Sequence, residues 1–365
     1  MSGKGWTRRA FFASFAAGAV CGAERKVVRP FPPEPVRYAD PATDYPVTRL
    51  TSPKHTSILP PAGHRVVSRR GFLFFASDHT GSPQLVQMFL SNGESRQLTD
   101  AAALDPRSPA LAPDDRSVYF FDGPVLKQLV FATMRELTLY QAPEGWTREG
   151  NFALTRDHAC LVETQAGRSR LRMIPLRAKA SGGPATVFEA PARLRDPLPR
   201  PRHGDILYRD EAGFLELVET GASAGRRLAL APGRTGPAFW APDGESLPYL
   251  NFPPASGQLN SIREWSAEGE KDRLVAPTSQ YATFAPNSDA SVFVGASASK
   301  AAPYVLLLLR VTRRELPLCE HRASDPAAVS PVFSPDSQRV FFQSDRDGKP
   351  AIYMADVQKL VEKTD

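Results

Sequence analysis

An all-β fold, a ring of seven four-stranded blades, is what this 365-residue sequence predicts, and three observations carry it. A short β-run recurs seven times at intervals of about 41 to 48 residues, the length of one propeller blade. Tight Pro-Asp turns precede several of these runs. The chain holds 35 Pro and 25 Gly, which calls for many turns and little helix.

The first element is an export signal. Trp6-Thr7-Arg8-Arg9-Ala10-Phe11-Phe12 opens on base, an apolar run reaches Val20, and Cys21-Gly22-Ala23 supplies small residues for cleavage. The Arg pair before two Phe matches the twin-arginine type, and the apolar run is far short of the ~20 residues of a membrane span. Residues 1–23 are therefore a removable signal, and the destination is periplasmic or extracellular. Gly18-Ala19-Val20 departs from a lipobox, so Cys21 is not read as a lipid anchor. Replacing Arg8 and Arg9 with Lys should stop export by the twin-arginine route; unchanged export would point to general secretion.

Lys4, Arg8 and Arg9 leave with that segment, which contains no acid, so 45 basic residues become 42 against 39 acidic. So weak an excess excludes a nucleic-acid partner, since those surfaces concentrate base in a stripe. A local basic pocket for an anion stays compatible with it.

Residues 24–46 carry Pro30, Pro32, Pro33, Pro35, Pro41 and Pro46, and read as an extended leader outside any ladder. The propeller then spans 47–357. Its second strands are Phe72-Leu73-Phe74-Phe75, Val118-Tyr119-Phe120-Phe121, Ala159-Cys160-Leu161-Val162, Ile206-Leu207-Tyr208, Leu247-Pro248-Tyr249-Leu250, Val292-Phe293-Val294 and Val340-Phe341-Phe342. Ala112-Pro113-Asp114-Asp115, Ala241-Pro242-Asp243-Gly244 and Ser334-Pro335-Asp336-Ser337 are hairpin turns, because Pro presets a turn φ and Asp accepts local N–H groups. Pro248 inside a second strand has no explanation beyond a bulge.

The last repeat ends after three strands, and 358–365 reads as a charged tail. Val47-Thr48-Arg49-Leu50-Thr51 has the fourth-strand pattern but precedes any first strand, so it should complete the last blade and close the ring. Cys160 and Cys319 fall in apolar strands of separate repeats and read as buried free thiols.

Most chemical motifs reduce to structure. Gly221-Ala222-Ser223-Ala224-Gly225 matches a nucleophile elbow but leads into a strand, not a helix. His55, His64, His79, His158, His203 and His321 show no paired spacing for a metal. Asp345-Arg346-Asp347-Gly348 is a turn lacking further calcium ligands. Arg193, Arg195, Arg200 and Arg202 form a basic run in a Pro-rich stretch, and Arg suits capture of carboxylates.

Arg49-Leu50-Thr51, Ala238-Phe239-Trp240-Ala241-Pro242-Asp243-Gly244, Phe333-Ser334-Pro335-Asp336 and Ser344-Asp345-Arg346-Asp347-Gly348-Lys349-Pro350-Ala351-Ile352-Tyr353 resemble oligogalacturonate lyases, from about Tyr38 to Val357. The Ser-Pro-Asp, Asp-Gly and Ile-Tyr parts are generic to TolB-like propellers. The resemblance implies β-elimination on pectin fragments, with a divalent metal, commonly manganese, neutralising a uronate carboxylate while a base removes the adjacent proton. It puts the metal ligands at Thr283, Asp325, Ala328 and Ser330 and the base at Pro237; a methyl, hydroxyls and a lone carboxylate do not replace three imidazoles, and proline cannot act as a base. Arg200 matches a family arginine; Arg200 and Arg202 are the expected substrate-binding residues.

The expectation is an exported, lyase-like propeller without catalytic or metal residues and without a cofactor, binding an acidic oligosaccharide as a monomer with no membrane span. Two alternatives stand beside it. One is an active lyase, needing Mn(2+), with ligands relocated to His55, His64, His203 or His321. The other is a TolB-like scaffold for an envelope protein.

Overall fold

Each second strand is apolar at consecutive positions because it is covered on both faces, and the two faces belong to different interfaces. Leu73 and Phe75 pack with Phe341 and Ile352 of the last blade, whereas Phe74 and Ala76 pack with Val118 and Phe120 of the second. Leu207 turns toward Leu247 and Tyr249 of the fifth blade, while Ile206 and Tyr208 turn toward Cys160 and Val162 of the third. Alternation with a period of two thus fills a separate core between every pair of neighbouring blades.

The computed structural model describes residues 28–177 and 183–361. These form seven antiparallel sheets, and apolar clusters join each to the next, including the seventh to the first. The result is a seven-bladed β-propeller. The expected export signal, residues 1–23, lies outside the described residues. Among the described residues no helix is long and apolar enough to cross a membrane.

The expected closure is present. Pro46–Arg49 pairs with Ala351–Asp356, with Val47 opposite Ala355 and Arg49 opposite Tyr353. Leu50 extends the seam by donating its N–H to Ile352 O at 2.7 Å.

The Pro-rich stretch, by contrast, is not an unpaired leader. Val36–Ala39 pairs with Pro46–Arg49 as a fifth strand of blade 7, and Arg29–Phe31 pairs with Ser95–Gln97 as a fifth strand of blade 1. Pro is tolerated there because an outermost strand needs hydrogen bonds on one side only. The segment therefore straps both blades that meet at the closure. Asp40, fully buried at the turn after Val36–Ala39, accepts the N–H groups of Ala42 (3.1 Å) and Glu320 (3.3 Å).

The turn chemistry follows the sequence. Asp114, Asp243, Asp289 and Asp336 each accept the N–H two residues on, at 2.9–3.1 Å. Pro248 also becomes intelligible. Its carbonyl accepts the Phe239 N–H at 3.0 Å, but the inner strand's ladder ends at Ala238 opposite Tyr249, so the absent donor falls just beyond it. Cys160 and Cys319 are buried and free, and burial pushes both thiols far up. The 221–225 segment is a loop between Leu215–Glu219 and Arg226–Arg227, as its surroundings implied.

Candidate functional site

The innermost strands of blades 3 to 6 each lose register part-way along. The shifts fall between Glu149 and Ala153, Arg195 and Leu198, Thr235 and Ala238, and Tyr281 and Thr283. A bulge re-aims side chains, and these four surround one cavity of about 410 Å³ to which all seven blades contribute. Its volume is ordinary for a small-molecule site.

The cavity is basic. Arg107, Arg195, Arg209 and Arg234 line it against a single carboxylate, Asp196, and none of the four has a carboxylate within ion-pair distance among the described residues. Arg209 ends the second strand of blade 4 and is held by Gly213 O at 3.2 Å and by Thr235 O at 3.1 Å and Gly236 O of blade 5. Burial, then the charges of Arg195 and Arg234, push its pKa down, while Asp196 opposes them. Arg234 lies over the Phe252 ring at 3.7 Å from its centroid, a favourable seat for a guanidinium. Asp196 is spoken for: Oδ1 accepts both the backbone N–H and the side-chain amide of Asn151 at 3.0 Å. It sits at φ +51° and Ser330 at φ +46°, so two non-glycine residues at the cavity hold left-handed conformations, which a fold retains where surrounding contacts impose them.

Three positions singled out by the resemblance, Pro237, Thr283 and Ser330, line this same cavity. Asp325 is exposed and caps the short 3-10 turn Pro326–Val329, accepting Ala327 N–H at 2.9 Å; Ala328 offers its carbonyl to Gln343. The expected ligand-binding arginines are elsewhere. Arg200 lies at the opposite end of the Arg195–Pro199 strand from Arg195. It donates to Gly244 O at 2.7 Å, Asp205 at 3.0 Å and Glu245 at 3.4 Å, and stands 5.5 Å from the Trp240 ring centroid. Its carboxylates are the protein's own, and they join blades 4 and 5. Arg202 is exposed in the adjoining hairpin at φ +63°. Arg195 belonged to the basic run noticed in the sequence, but Arg209 and Arg234 were missed. The available signal was their repeat position: Arg195 and Arg234 each open the innermost strand of their blade, and Arg209 closes the second strand of blade 4.

The histidines do not converge. His64 borders the cavity, buried, with Nε2 donating to Phe152 O at 2.8 Å. His55 and His79 stack on each other and His79 on Phe31, His203 faces Glu245, and His321 is buried between Ser297 O and the Ala323 N–H. Because Nδ1 of His321 accepts while Nε2 donates, that ring is neutral. Desolvation lowers the pKa of His64 and His321 below the ordinary 6.5.

Burial disfavours the charged form of both imidazoles, so below about pH 6.5 the unfolded chain takes up more protons and stability falls as pH drops toward the folded values. The depressed carboxyls of Asp78, Asp122, Asp289, Asp336 and Asp345 titrate below their ordinary 3.8, so they leave this window alone. The melting temperature should therefore decline between about pH 7.5 and 5, and His321→Asn should flatten the decline. A pH-independent melt over that range would contradict the assignment.

Known proteins resemble the chain along most of its length. No protein-family model matches it. The oligogalacturonide lyase of Pectobacterium atrosepticum is 23% identical, covering 89% of this chain and 96% of its own. The oligogalacturonate lyase of Dickeya dadantii is 22% identical, with the same coverages. Over nearly its whole length the chain is similar to oligogalacturonate lyases. Two solved structures share its fold with a TM-score of 0.83. One is an oligogalacturonate lyase in complex with manganese, 22% identical, covering 90% of this chain and 97% of its own. The other is the oligogalacturonate lyase of Vibrio parahaemolyticus, 20% identical, covering 91% and 99%.

The residues of this lyase-like propeller do not fit a manganese ion. Thr283 and Ser330 bring neutral hydroxyls, and Ser330 donates its own to Pro60 O at 3.3 Å. His64 is the one imidazole that lines the cavity, its Nε2 donating to Phe152 O, and Asp196 Oδ1 already accepts two N–H groups, so one histidine and one carboxylate are all the ionisable ligands that the lining offers. Among the described residues no group of three His, Cys, Asp or Glu gathers in a way that could hold a metal. Hydroxyls alone are poor ligands for such an ion, and four nearby guanidinium groups repel it.

Proposed function

We propose that the protein binds an acidic oligosaccharide, a short oligouronide, in the axial cavity and does not carry out metal-assisted β-elimination. The observation that supports this reading is the excess of four arginines over one carboxylate in a cavity that also contains Pro237, Thr283 and Ser330. Guanidinium groups without carboxylate partners suit bidentate capture of a uronate. Proline offers no base, and loss of a positioned base typically costs about 10² to 10⁴ in rate, with loss of a metal adding several kcal/mol. The protein acts after export, a reading supported by the basic, apolar and small-residue order of residues 1–23.

The test combines metal analysis of the purified protein with an absorbance assay for unsaturated uronate on digalacturonate, with and without added manganese. No metal-stimulated product is expected. Its appearance would restore the active-lyase reading and send the search for ligands back to His55, His64, His203 and His321.

A further inference from the structure

Resting on the reading that the axial cavity takes an oligouronide, we infer that Arg195, Arg209 and Arg234 supply the positive charge that manganese brings to the metal-bound relative, so that binding is metal-independent and favours ligands with several acid groups. Three features support this. Arg209 is fixed by carbonyls of blades 4 and 5, which orients a cation without neutralising it. The charges of Arg195 and Arg234 act on Arg209, so the three are electrostatic neighbours. Arg195 and Arg234 are both exposed, and neither has a carboxylate within ion-pair distance among the described residues.

The charge balance then sets the ligand class. Four arginines against Asp196 leave three positive charges in the cavity. A single uronate would leave like charges facing one another, whereas two or three carboxylates on one chain would relieve that repulsion. Affinity should therefore climb from mono- to di- to trigalacturonate and fall as salt screens the site.

The experiment is calorimetric titration of the mature protein with galacturonate, digalacturonate and trigalacturonate, first after exhaustive treatment with a chelator and then with added manganese. Arg209 joins two blades and its loss endangers folding, so the variants are Arg195→Gln and Arg234→Gln, each checked by thermal melting. Affinity for trigalacturonate is expected to be unchanged by chelation and to fall about tenfold in each variant, as for a lost charged hydrogen bond. Binding that vanishes on chelation and returns with manganese overturns the charge replacement while leaving oligouronide binding intact. Equal affinity for the three ligands, or full affinity in both folded variants, also overturns it. Absence of binding in both conditions overturns the inference together with the reading beneath it.

Discussion

Deleting residues 28–51 should cost the propeller its cooperative melt, whereas deleting 28–40 should lower the melting temperature but leave a closed ring. The longer deletion removes Pro46–Arg49, the strand that pairs with Ala351–Asp356. It also removes Val47 and Leu50, buried in the cores that blade 7 shares with blades 6 and 1. Burying side chains of this kind is worth ~1.5–3 kcal/mol each, so the two account for roughly 3–6 kcal/mol before any ladder hydrogen bond is considered. That is a large fraction of a typical domain's net stability, and the deletion exposes a strand edge as well. The shorter deletion removes two outermost strands and the buried Asp40, so it is not neutral, but it spares the closing strand. Thermal melts of the two truncations decide the matter, and indistinguishable transitions would count against the closure.

Glu163→Ala should be among the most damaging single substitutions, destabilising by about 3–5 kcal/mol, the usual cost of removing one partner from a buried charge cluster. The Glu163 carboxylate is fully buried in blade 3 and accepts from Arg170 Nε at 2.8 Å and from Tyr140 Oη of blade 2 at 2.7 Å. Arg172 stands at 3.8 Å. The side chains of Arg170 and Arg172 are only 14% and 12% exposed, so removal of the carboxylate leaves two poorly solvated cations facing one another. Arg170 is further confined over the Trp146 ring, 3.8 Å from its centroid. Tyr140→Phe removes one neutral donor to that carboxylate and leaves the ion pair in place, so it should cost less, about 1.5–3 kcal/mol, which makes it the internal control. Denaturant unfolding of both variants measures the difference; a Glu163→Ala protein as stable as Tyr140→Phe would defeat the argument.

The repeat, the number of blades and the closure are legible in the sequence, because they depend on local signals that recur. An apolar second strand, a Pro-Asp hairpin and a fourth-strand pattern displaced to the N-terminus each occupy only a few residues. The absence of imidazoles at Thr283, Ala328 and Ser330 is equally plain, since residue type alone settles what a side chain can ligate. The fate of the Pro-rich segment and the identity of the arginines that line the axial cavity are not legible in this way. Arg29–Phe31 and Val36–Ala39 look unable to form ladders until their place at sheet edges relieves Pro of its missing donor. Arg200 and Arg195 belong to one basic run, yet one is neutralised between hairpins and the other faces the axis. Arg209 and Arg234 join Arg195 from separate strands because two blades meet there. Proximity across blades is a property of the closed ring, and no local pattern of residues encodes it.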